Sequence, residues 1–139
     1  VEIDPRHSGA RRGHVVALTK AGKHADAMDS LKQSRSILPR CIVLAHTAAR
    51  LGASCPDGRS RNGPKALELA QAVFRSRPCI EHAVTLAMAF AETGNYDEAK
   101  RWQNMAIEVA AKESRRDAMP RLERNLALYE GGEPCRTPW

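Results

Sequence analysis

Aromatic side chains are scarce in this chain: two Trp, two Tyr and two Phe among 139 residues. A core with so few large rings must be built from small residues packed closely, and Ala dominates the apolar positions. Runs of β-branched residues are also short, so helices are favoured over sheet. No apolar run approaches the roughly 18–20 residues needed to span a bilayer, so no membrane insertion is expected. The four cysteines, Cys41, Cys55, Cys79 and Cys135, never form a C-x-x-C pair. The pairs Cys79/His82 and Cys41/His46 lack the paired-ligand spacing of a zinc site, so no metal is expected and the thiols read as small packing or solvent-facing groups. Their redox state and the compartment are not written in the sequence.

Catalytic signatures are missing as well. There is no G-x-S-x-G, no Walker-type loop, no H-E-x-x-H and no glycine-rich dinucleotide turn. The histidines (His7, His14, His24, His46, His82) are scattered. The stretch Cys55-Pro56-Asp57-Gly58 is a turn by composition, which Asp57 can cap by accepting from backbone N–H groups. No catalytic residue and no cofactor is expected. Acidic residues are sparse in one half only. Residues 1–65 hold 12 Lys/Arg against 5 Asp/Glu, whereas residues 66–139 hold 10 against 11. The excess of +6 therefore sits entirely in the first half, where an acidic partner would be drawn.

What is present is punctuation. Helices are predicted over about 10–21, 25–37, 41–52, 64–76, 80–93, 97–112 and 115–130, all but 97–112 stopped by Gly or Pro or by the loop at 53–63. Pro120 would either open the last helix or kink it. The stretch "AETGNYDEAKRW" at 91–102 repeats the spacing of "TKAGKHADAMDS" at 19–30, with Gly94, Tyr96 and Ala99 matching Gly22, His24 and Ala27. Pro5, Pro39 and Pro78 follow at 34 and 39 residues, and Ala27, Ala66 and Ala99 at 39 and 33. A period near 34 carried by helix pairs marks a repeat array. The longer middle step fits extra residues in the exposed loop, which is a cheap place to put them.

On these residues the chain resembles the tetratricopeptide repeat family, as the C-terminal part of a bacterial-type array with a capping helix. The clearest unit is "IEHAVTLAMAFAETGNYDEAKRWQNMAIEVAAK", with Ala83, Leu86, Ala87, Phe90, Gly94, Tyr96, Ala99, Ala106 and Ile107 on family positions. The resemblance implies an all-α solenoid of about three antiparallel helical hairpins, at about 8–41, 42–78 and 80–113, with a capping helix at 115–130. Residues 1–7 would end a preceding repeat. Gly22 and Gly94 would take positive φ in the hairpin turns. Ala27, Ala66 and Ala99 would sit where two helices approach closely, with Phe90 and Tyr96 filling the gap. Leu122, Leu126 and Tyr129 would face the stack, leaving Arg121, Glu123 and Arg124 to solvent.

The resemblance also implies that the first helices of successive repeats line a concave groove for a peptide or protein segment. Its candidates are Arg12, Val16 and Lys20, then His46 and Arg50, then Thr85, Met88 and Glu92. Arg12, His46 and Arg50 would make a basic rim able to grip a carboxylate. The function expected is therefore a non-catalytic interaction module or scaffold for an acidic protein or peptide, with self-association also open. Two alternatives stand beside it. One is nucleic-acid binding through the basic half, which the shortage of stacking aromatics there disfavours. The other is a structural cap or spacer for an upstream enzyme.

Overall fold

A computed structural model describes the chain from Pro5 to Trp139, with side chains from His7 onward. Seven helices follow one another: α1 Pro5–Lys20, α2 His24–Ile37, α3 Ile42–Ser54, α4 Gly63–Ser76, α5 Ile80–Glu92, α6 Tyr96–Lys112 and α7 Met119–Glu130. A short 3-10 turn, Gly58–Ser60, interrupts the α3–α4 connection, and no strand occurs among the described residues. The chain is all-α.

Helix ends explain the punctuation. After α1 the backbone turns left-handed at Gly22 (φ 78°), where Lys23 N donates to Leu18 O at 2.9 Å and Gly22 N to Thr19 O at 3.1 Å. After α5 the same pair of bonds recurs around Gly94 (φ 85°), from Asn95 N to Phe90 O and from Gly94 N to Ala91 O. This closure satisfies two carbonyls that a helix end otherwise leaves open. Gly132 (φ 71°) ends α7 in this way, and so does Ser114 (φ 56°) after α6. A side chain at positive φ costs about 1–2 kcal/mol. Gly94→Ala is therefore expected to lose about that much in urea unfolding, and Ser114→Gly to gain up to about 1 kcal/mol.

At the other ends, Asn62 and Asn95 cap α4 and α6 by accepting from Lys65 N and Glu98 N, each at 3.3 Å. Asp57 accepts from Arg59 N at 3.0 Å, as its turn sequence predicts. Pro120 lies in the first turn of α7, which decides between its two readings. Helix α7 starts four residues later than expected because 115–118 form turns after the left-handed Ser114. Helix α1 starts earlier than expected, and the described part of 1–7 belongs to it; residues 1–4 lie outside the described residues.

Packing follows the hairpin pattern. α1 packs on α2, α3 on α4 and α5 on α6, while α4 and α7 lie against α5 and α6 respectively. The odd-numbered helices also pack on one another, α1 on α3 and α3 on α5. Small residues make this possible: Ala27 and Ala99 are wholly buried and Ala66 nearly so. Added methyl groups would meet neighbours at Gly52, whose Cβ would lie 3.3 Å from Ala66 Cβ, and at Gly63, 3.1 Å from Glu92 Cγ. One apolar cluster joins Val15, Ala27, Leu31, Leu38, Leu44, Leu51 and Cys55 from α1 to the end of α3. A second runs from Ala49 and Ala53 through α4, α5 and α6 to Leu122 and Tyr129, with Phe90, Tyr96 and Ile107 packed against it. Gln103, fully buried on α6, donates from Nε2 to Leu122 O at 2.9 Å and ties α7 down.

Candidate functional site

The eight residues expected to line a groove lie on α1, α3 and α5, and the chain's own C-terminal segment reaches one of them, Glu92. Residues 133–139 form no helix or strand. Glu133 N closes α7 by donating to Leu128 O, and the chain then turns back along that helix. Cys135 is 1% exposed, with its thiol 3.7 Å from Asn125 Oδ1, and Arg121 Nη2 donates to Thr137 O at 2.8 Å. Arg136 Nη1 reaches Glu92 Oε2 at the end of α5, at 2.6 Å. Finally Trp139 packs against the cluster that belongs to α1, α2 and α3. The tail thus links the last helix to the first hairpins.

The predicted residues differ in burial. Thr85 and Met88 are buried, at 1% and 0% exposure, and so is Arg50. Val16, Arg12, His46 and Glu92 are half-buried, and Lys20 is exposed. Arg12, His46 and Arg50 do come together, since each arginine helps to hold the imidazole of His46 neutral. Burial is the main cause, and it takes the pKa of His46 down to about 3. Thr85 donates to Glu81 O at 3.1 Å, so its oxygen accepts from His46 Nε2, 2.7 Å away. The His46 ring also meets that of His82 edge-on, with centroids 4.4 Å apart. His82 in turn donates from Nδ1 to Arg77 O at 2.7 Å. Arg50 itself is held down at about 10, by burial and then by Arg121.

Glu92 is the polar hub at the end of α5. It takes Arg136 on one oxygen and Arg61 on the other, at 3.2 Å, while Arg61 also donates to Cys55 O and Pro56 O. The long loop is thereby fastened to α5 and the tail at one carboxylate. The chain matches no family model, no curated protein and no solved structure.

Sequence reasoning did not single out Asn125, Arg136 or Trp139, and Arg121, expected to face solvent, is half-buried against Thr137 O. The available signal was an indole and a thiol inside an otherwise polar, Pro-containing end, which is poor company for solvent. Trp102 meets Phe74 edge-on, with ring centroids 4.8 Å apart. All four cysteines are free thiols, and no group of His, Cys, Asp or Glu among the described residues is arranged to hold a metal ion. No helix among them is long and apolar enough to cross a membrane. A cleft of about 880 Å³ lies among α2, α3, α4 and the loop, its lining including Leu31, Leu69, Lys32, Arg35, Arg59 and Lys65.

Proposed function

We propose that this chain is a non-catalytic interaction module, a slice of tetratricopeptide-like solenoid whose odd-helix face docks an extended peptide segment. What carries the reading is the tail. A stretch without regular structure reaches α5 and the apolar cluster of α1–α3, helices among which the resemblance puts a partner, and its anchors are of the kind a bound peptide would use. One ion pair fixes its course (Arg136 to Glu92), one small side chain is buried (Cys135), and one aromatic anchor (Trp139) sits at its end. Such sparse anchoring is how peptide interfaces concentrate their affinity. The packing of α1 on α3 and of α3 on α5 supports the solenoid part of the reading.

A tail bound in cis competes with any partner, and the apparent affinity falls by the fraction of molecules whose face is open. A fluorescent peptide of residues 131–139 should therefore bind the double variant Arg136→Glu, Trp139→Ala at least about tenfold more tightly than it binds the unaltered chain. Equal, weak binding to both, with helicity unchanged, would remove the proposal. The basic cleft favours a second reading, nucleic-acid binding. Under it, single-stranded RNA would bind with a steep salt dependence that charge reversal at Lys32, Arg35 and Lys65 abolishes.

A further inference from the structure

Three buried hydrogen-bond donors between α3, α7 and the tail have no acceptor. They are Arg50 Nε, Asn125 Nδ2 and Tyr129 Oη, on residues that are 8%, 1% and 1% exposed. Such orphans are rare in folded proteins, because a buried donor that gives up water and gains nothing is destabilising. Here they share one neighbourhood. The Asn125 oxygen is taken up by the Cys135 thiol, and Arg50 lies within electrostatic reach of both Cys135 and Tyr129. The arginine is the most telling of the three. Of the groups that bear most on its charge, Arg121 and Arg12 are cations and none is an Asp or Glu. Arg121 already spends one donor on Thr137 O, and Arg12 stands half-buried on α1. A buried guanidinium ordinarily comes with a carboxylate, and this one has other guanidiniums.

The missing species must accept hydrogen bonds from several directions and carry negative charge. A water molecule would supply the acceptor but leave the positive charge unmatched. A guanidinium presents its N–H groups as a planar fork that matches two oxygens on one centre. We propose that Arg50, Asn125 and Tyr129, with Arg12 and Arg121 at the rim, form a binding site for an oxyanion. The same chemistry is offered by a free phosphate and by a carboxylate carried on a partner chain. The site stands on its own residues and does not depend on peptide docking.

The test is a thermal-melting titration of the full chain in zwitterionic buffer at constant ionic strength, with sodium phosphate in one arm and sodium acetate in the other. Saturable stabilisation by several degrees is expected in at least one arm. Phosphate acting alone identifies a free phosphate-type ligand, and acetate acting as well identifies a carboxylate. Arg50→Met should abolish the response and, without added anion, should melt no lower than the unaltered chain, because it removes an unpaired buried charge. If Arg50→Met fails to fold, Tyr129→Phe keeps the question open to refutation, since it should weaken the anion by about tenfold while leaving the anion-free melting temperature unchanged. Shifts that never saturate, or that survive both substitutions, would overturn the site, as would no shift at all, the outcome of a buried water only. Binding of the tail peptide in trans does not require these donors, so either proposal can fail without the other.

Discussion

Replacing Tyr129 by alanine is expected to lower the unfolding free energy by about 3–5 kcal/mol, whereas replacing it by phenylalanine should leave stability unchanged in anion-free buffer. Tyr129 heads the fully buried side chains by volume, and it packs in the same cluster as Met88, Leu122 and Cys135. Its removal would open a cavity where the last helix, α5 and the tail meet, a place the surrounding backbone cannot easily collapse to fill. The hydroxyl is a different matter. It is buried without a partner, and burial is also what pushes its pKa upward. Deleting a group that has exchanged water for nothing removes no stabilising interaction. Domains of this kind have only about 5–15 kcal/mol of stability, so the alanine variant should lose a large part of its cooperativity. Urea unfolding of both variants separates the two effects. A loss below about 1 kcal/mol for Tyr129→Ala would mean that α7 and the tail are only loosely attached, and the case for a seated tail would fall with it.

The hairpins were legible in the sequence because their causes are local. Gly22 and Gly94, 72 residues apart, announce left-handed turns, and both are found there with the same pair of closing hydrogen bonds. Ala27, Ala66 and Ala99 announce close approaches, and all three are buried. The second half of the site was not legible, because its cause is distant. Arg50, read by type and charge, belongs at a solvated rim; it is buried, and Cys135, more than 80 residues later in the chain, lies within its electrostatic reach. Thr85 and Met88 were expected to line a groove, but both are buried, Thr85 against His46 and Met88 within the larger apolar cluster. Ser114 shows the same limit at one residue. Nothing in serine asks for positive φ, and the conformation is imposed by the need for α7 to fold back on α6, a junction secured by Gln103 and Leu122.

Acid should unfold this protein earlier than its carboxylates alone would dictate, and His46 is the reason. In the fold its pKa is lowered to about 3, by burial first and then by electrostatic interaction with Arg50, His82 and Arg12. In the unfolded chain the same imidazole titrates near 6.5. The folded state therefore binds the proton less readily than the unfolded state. Stability due to His46 is complete above pH 6.5 and drains away as the pH falls towards 3. Between pH 6.5 and pH 5 the expected loss is about 2 kcal/mol. That interval lies above the range in which ordinary carboxylates protonate, so the contribution can be read separately. The hydrogen bond to Thr85 restricts the choice of control. Thr85 spends its own proton on Glu81 O, so the partner at position 46 must donate. Glutamine can donate without titrating, and His46→Gln should flatten the urea midpoint between pH 5 and pH 7. A slope that persists undiminished in His46→Gln would place the titration elsewhere. A flat wild-type profile would mean that the imidazole takes up its proton as readily in the fold as outside it, and is not buried against α5 at all.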